Sequence, residues 1–208
     1  MKNSICLKSI VISLLYLGHN PLGATSEKNY ILVSPNGKLK VEIIATGGLS
    51  YRVTHEIDTI LSLSKIGMVA EEKNVTANHS FQVIGIQRRK IVDKIEALRE
   101  FIVSCNELNL RLNSNFGVIF RSYDEGIAYR FYSTRKAEVC IKGEIAEFNF
   151  QRNYTAYLPY TTKDREPLAM AFQNFYNITP LSSAVQKPTF LPVTIDCGKV
   201  KLTLLEAD

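Results

Sequence analysis

The chain has 208 residues, 46% of them hydrophobic and 22% charged, with ten Tyr, ten Phe and no Trp. This is ordinary for a globular protein and leaves room for one domain with a sizeable core; there is no internal repeat and no low-complexity tract. Lys and Arg outnumber Asp and Glu by 25 to 20, and by 23 to 20 once residues 1–24 are set aside, a surplus too small to argue for a nucleic-acid partner.

Residues 1–24 read as an export signal. Lys2 and Lys8 form the positive start, Ile10–Leu17 the apolar centre, and Leu22-Gly23-Ala24 a small-residue cleavage site. An apolar run of about eight falls far short of the ~20 residues needed to span a bilayer, so no stable membrane anchor is expected. Cys6 precedes the apolar run, which speaks against a lipoprotein anchor. The mature chain would begin near Thr25, in the periplasm or outside a bacterial cell.

Strands follow. Ser34-Pro35-Asn36-Gly37 is a turn, because Pro presets φ and Asn-Gly accepts positive φ. It joins Tyr30–Val33 to Lys38–Ala45, where Leu39, Val41 and Ile43 point one way and Lys38, Lys40 and Glu42 the other. Gly47-Gly48 turns the chain into Leu49–Thr54, and Thr59–Leu63 comes next. Arg88-Arg89-Lys90 is the densest basic cluster; a solvated turn or strand end is the favoured reading, an anionic partner site the other. Over Gln87–Ile102, Ile91, Ile95, Leu98 and Ile102 recur at helical spacing, which by itself predicts an amphipathic helix.

Asn106–Phe150 is the most legible stretch. Leu108, Leu110 and Leu112 alternate with Glu107, Asn109 and Arg111, the period of a half-buried strand. Phe116–Tyr123 and Ile127–Tyr132 flank Asp124-Glu125-Gly126, a hairpin signal with Gly expected in the left-handed region. Alternation resumes over Val139–Phe150. Asn153–Pro159 reads as one more strand, Tyr160–Lys187 as a long irregular loop, and Leu191–Ile195 with Lys199–Leu205 as a closing hairpin around Asp196-Cys197-Gly198. The expected fold is an all-β antiparallel sandwich.

Chemistry is sparse. Cys105, Cys140 and Cys197 are an odd set in apolar stretches, favouring buried thiols, with one disulfide as the alternative. No Cys or His spacing fits zinc; His55 and His79 stand alone. Asp124 and Glu125 are adjacent, but in a tight turn, and Asp164, Glu166 and Asp196 show no convergent pattern. No nucleophile elbow or phosphate loop is present. Tyr154, Tyr157, Tyr160, Phe172, Phe175 and Tyr176 gather in and before the long loop, either as core or as a surface facing carbohydrate or another domain.

The segments NELNLRL, IFRSYDEGIAYRF and AEFNF, with the opening SPNGKLKVEI and LSYRVTHEIDTIL, resemble in order the N-terminal domain of glycoside hydrolase family 97. The resemblance runs from about Ile31 to Asp208 and is weak between about Ala70 and Glu100. It implies a super-sandwich of the galactose-mutarotase-like kind over residues 25–208, incomplete at the C-terminus because VKLTLLEAD reads as a strand the family continues past. It also implies extended chain, not helix, over 87–102, and strand is the reading adopted. Catalysis in the family lies in a (β/α)8 barrel, and no βαβα alternation occurs here. No catalytic residue is therefore assigned, and turnover by this chain alone is not expected.

The resemblance further implies that the loop after NYTAYLP reaches the barrel mouth and, in members using calcium, supplies a glutamate ligand. Counting back from Pro180-Leu181-Ser182 places that position on Gln173, which offers a carbonyl oxygen without charge. Hence no metal or cofactor is assigned to this chain, while calcium belongs to the full-length family. The candidate loop residues are Glu166, Phe172, Gln173, Asn174 and Tyr176, an ordinary polar loop being the alternative. The implied partners are the catalytic barrel or a carbohydrate; an unpaired strand edge would favour self-association. Two other readings stay open: a fragment of an exported α-glucosidase or α-galactosidase, and a free-standing glycan-binding or partner-binding sandwich.

Overall fold

The computed structural model describes residues 28–70, 73–74, 82–96, 100–161 and 174–206. Its strands in chain order are β1 Asn29–Val33, β2 Leu39–Ala45, β3 Leu49–His55, β4 Asp58–Ala70, β5 Lys73–Asn74, β6 Val83–Glu96, β7 Glu100–Leu112, β8 Phe116–Ser122, β9 Ile127–Ser133, β10 Ile141–Ala146, β11 Thr155–Leu158, β12 Asn177–Pro180, β13 Val193–Asp196 and β14 Lys201–Leu204. They form three antiparallel sheets: β1-β2-β3-β4-β10 with β5 beside β4, β6-β7-β8-β9, and β12-β11-β13-β14.

The first two sheets face each other. Alternation supplies the apolar faces: Tyr30, Leu32, Val41, Ile43, Tyr51 and Leu61 from one sheet, and Leu108, Leu110, Leu112, Val118 and Phe120 from the other, join in one buried cluster. Each such Leu contributes about 1.5–3 kcal/mol by leaving water. Tyr51, Phe120 and Tyr129 meet across the layers at centroid separations of 5.8–6.3 Å. The third sheet builds a second cluster from Ala156, Leu158, Tyr160, Val193 and Ile195, and Phe150 packs against both clusters.

Turn chemistry ties the layers together. Gly37 takes φ 78°, and the Asn36 side chain accepts hydrogen bonds from Ser34 Oγ (2.7 Å) and the Lys38 amide (2.9 Å). The Asn36 amide in turn donates to Asp124 Oδ1 at 2.8 Å, joining the β1–β2 and β8–β9 turns. Asp124 is thus a turn residue.

Several expectations are corrected. Gly126 is not in the left-handed region: the loop has four residues, Tyr123–Gly126, closed by the Tyr123 amide on Gly126 O at 2.8 Å. The strand expected over Val139–Phe150 is confined to Ile141–Ala146. Beyond it, Glu147 and Asn149 clip to β4 through the amides of Glu147 and Asn149 and both side chains. The strand reading adopted over 87–102 is borne out in β6 and β7, which pair from Val83↔Leu112 to Glu96↔Glu100, and the helical spacing of its isoleucines is overridden. Hairpin pairing gives both segments backbone partners along their shared edge, a contribution that the local spacing does not contain. Arg88-Arg89-Lys90 lies in mid-strand rather than at a turn or strand end, with Arg88 donating to Ile31 O at 2.7 Å. Of the three thiols, Cys105 is buried, Cys197 intermediate and Cys140 exposed, so burial fails for Cys140; all three are free.

Candidate functional site

The third sheet carries the loop singled out from sequence. β11 is its scaffold: Asn153 Oδ1 accepts the Ser182 amide (2.8 Å) and Tyr154 O accepts the Leu181 amide (2.9 Å). Further along, Tyr160 O accepts Asn174 Nδ2 at 2.7 Å, while Tyr160 Oη accepts the Val185 amide at 3.1 Å. The expected irregular stretch Tyr160–Lys187 therefore includes a strand, β12, paired with β11 from Thr155↔Pro180 to Leu158↔Asn177, followed by one 3-10 turn at Leu181–Ser183. The Pro residues at 167 and 180 read as loop markers; Pro180 in fact ends the edge strand, where its missing N–H costs no ladder bond.

Glu166, Phe172 and Gln173 lie outside the described residues. Asn174 and Tyr176 are described. Asn174 holds the loop end in place: its amide nitrogen serves Tyr160 O, and its Oδ1 accepts the Phe175 amide at 2.8 Å. Tyr176 is 45% exposed, with its hydroxyl 3.4 Å from Pro192 O, and Phe175 is 92% exposed. Ile178 lies opposite Tyr157, which lies opposite Thr194, so Tyr176, Ile178 and Tyr157 share the outer face of the sheet. Tyr154, by contrast, packs edge-on against Phe150, and Tyr160 is buried. Among the described members of the aromatic group, Tyr160 is core, Tyr154 and Tyr157 are half-buried, and Phe175 and Tyr176 are exposed.

Among the described residues no three His, Cys, Asp or Glu side chains converge as a metal cluster. Asp196 is held below the usual carboxylate range by the Lys201 ammonium and by the Gly198 amide. A polar cleft of about 400 Å³ between the first and third sheets is lined by Asp58, Gln151, Arg152, Tyr154 and Lys199. It brings no carboxylate pair into view across a scissile bond, the arrangement a glycosidase needs.

One cluster escaped the sequence reading. Glu107, placed on the polar side of its strand, is 1% exposed. Strand register sets it between Arg89 on β6 and Arg121 on β8. Arg89 Nε donates to Oε1 at 2.9 Å, with Arg89 Nη2 on the same oxygen, and Arg121 Nε donates to Oε2 at 2.8 Å. Burial pushes the carboxyl's pKa up, but the two guanidinium groups outweigh it and hold the group below its ordinary value. The available signal was the hairpin register, which puts 89, 107 and 121 in one row.

Comparison with known proteins places this geometry. The family model described as "Glycosyl-hydrolase 97 N-terminal" matches residues 32–208. The chain is 29% identical over 198 residues to the retaining alpha-galactosidase of Bacteroides thetaiotaomicron, a match covering 90% of this chain and 30% of that protein. Among solved structures, a glycoside hydrolase family 97 enzyme in complex with acarbose from Pseudoalteromonas sp. strain K8 superposes with a TM-score of 0.65 at 19% identity, over 80% of this chain and 26% of that one. A beta-arabinopyranosidase gives 0.66 at 22% identity, over 81% and 30%. These identities carry the fold alone, and the chain spans about 30% of the length of the curated relative it matches.

Proposed function

Because the chain belongs to the glycosyl-hydrolase 97 N-terminal family, we propose that it is the accessory sandwich of an α-glycosidase, bracing a catalytic barrel and lending it the loop between β11 and β12. The carrying observation is that the chain matches an N-terminal family model along residues 32–208 while spanning only 30% of the length of its α-galactosidase relative. Three of the described carboxylates fit that role. Glu107, Asp124 and Asp196 are each engaged in an ion pair or a turn. The exposed Phe175, Tyr176 and Ile178 give the third sheet an apolar outer face suited to a barrel or a sugar.

Gln173 stands where the family's calcium glutamate is expected, and a neutral amide offers the ion a dipole instead of a charge. The chain alone is therefore expected neither to bind calcium at micromolar concentration nor to hydrolyse aryl α-glucosides or α-galactosides. Calorimetry with calcium and a chromogenic glycoside assay check both halves. Turnover abolished by Glu166→Gln would make the loop a site in its own right and end the accessory reading.

Export is part of the same proposal. N-terminal sequencing of protein recovered from a bacterial periplasm is expected to begin near Thr25; an intact Met1 on cytosolic protein would rule export out. The second reading, a fragment of an exported α-glucosidase or α-galactosidase, is favoured by the 30% span. A barrel encoded in frame after Asp208 would support it.

A further inference from the structure

We propose that the outer face of the β6–β9 sheet is a binding plate for a carboxylate-bearing saccharide, a uronate unit. This rests on the carbohydrate-facing part of the reading above but concerns a different sheet and a charged ligand. The strand register stacks three rows on that face: Arg89–Glu107–Arg121–Ala128, Gln87–Asn109–Ile119–Arg130, and Gly85–Arg111–Gly117–Tyr132. Their side chains point away from the core, which takes the alternate residues Leu108, Leu110, Val118 and Phe120.

Two glycines flatten this surface. The Tyr132 side chain crosses β8 and donates its hydroxyl to Asn109 Oδ1 on β7 at 2.8 Å. It can do so because residue 117 is Gly: a Cβ there would stand 2.2 Å from Tyr132 Cζ. Arg111 likewise lies along Gly85, where a Cβ would meet its Nε at 3.2 Å. Long side chains that would otherwise bristle from a sheet are laid down as a shallow plate, with an aromatic ring fixed at one end.

Charge then selects the ligand. Glu107 offsets one of four arginines and is itself buried beneath Arg89 and Arg121. Arg111 and Arg130 are exposed, and no described carboxylate forms an ion pair with either. A planar guanidinium matches a carboxylate in a two-pronged hydrogen bond. Asn109 and Gln87 suit hydroxyl groups, and the Tyr132 ring suits the apolar face of a sugar. Three rows on four strands cover roughly 200 Å² by strand spacings, against the ~800 Å² per partner of a stable protein interface. The plate therefore fits one or two sugar rings and not a protein.

The test is amide-shift mapping of the isotope-labelled chain with digalacturonate, with neutral digalactose, sodium sulfate and an octaglutamate peptide as comparisons. Digalacturonate is expected to move amides of β6–β9, and digalactose to leave them unmoved. Arg111→Gln/Arg130→Gln, and separately Tyr132→Ala, are expected to weaken binding about tenfold. Arg111 and Arg130 are exposed, so the double arginine variant should melt as the parent does, which separates lost binding from misfolding; Tyr132→Ala also loses the hydrogen bond to Asn109 and is expected to melt somewhat lower. The proposal is overturned by silence with digalacturonate, by equal affinity in the arginine variant, by sulfate matching the digalacturonate affinity, or by tighter binding of octaglutamate. Digalacturonate that shifts only the amides around Tyr157 and Tyr176 would overturn the plate while supporting the third-sheet surface.

Discussion

Phe120→Ala is expected to destabilise the sandwich by about 3–5 kcal/mol, the range for removing a buried aromatic whose site cannot collapse. Phe120 is 0% exposed. Its ring sits between Tyr129 on its own sheet and Tyr51 on the facing one, at 5.8 and 6.3 Å. Both neighbours are held by paired strands, β3 within β2-β3-β4 and β9 along β8, so neither layer can move in to fill the space. Urea denaturation measures the loss, and a domain of this size should show a fall in melting temperature of roughly 10 °C or more. Phe175→Ala is the contrast: at 92% exposure it should change stability by no more than about 0.5 kcal/mol. A Phe120→Ala protein within about 1 kcal/mol of the parent would mean that the two sheets do not share one core.

The second large effect belongs to Glu107. In Arg89→Met/Arg121→Met the carboxylate keeps its cover of methylenes but loses every charged donor, leaving a buried ion uncompensated. The expected cost is about 3–5 kcal/mol. Glu107→Gln should cost less, about 1–2 kcal/mol, because the amide still accepts hydrogen bonds and the half-exposed arginines keep water. The pH dependence follows from the depressed carboxyl pKa. Glu107's contribution is complete above the unfolded-state value of about 4.3 and is lost as pH falls through the lower folded value. The stability gap between the parent and Glu107→Gln should therefore be full at neutral pH and close in acid. Asp196, also depressed, titrates alike in both proteins and cancels in the difference. A gap that is independent of pH would show that Glu107 is not ionised in the fold.

The sequence by itself determined the strands whose alternation is read directly. Leu39–Ala45, Leu49–His55 and the end of Glu100–Leu112 form where Val41, Ile43, Tyr51, Leu108 and Leu110 alternate with polar residues, because a period of two makes one apolar face and one register. It determined the Pro-Asn-Gly turn, since few residues accept φ near 78°. Ordered motifs carried the family. The tertiary structure alone decided the rest. The 3.6 spacing of Ile91 and Ile102 was outweighed by pairing with a neighbouring strand, a term no local window contains. Asn177–Pro180 became a strand only because β11 offered an open edge. Glu107 passed for a solvated residue in a clean alternation, and only the alignment of three strands supplied the two guanidinium groups that let a carboxylate be buried on the outward face. Which charges meet across a sheet depends on register between segments distant in sequence, and that register is settled by packing of the opposite face.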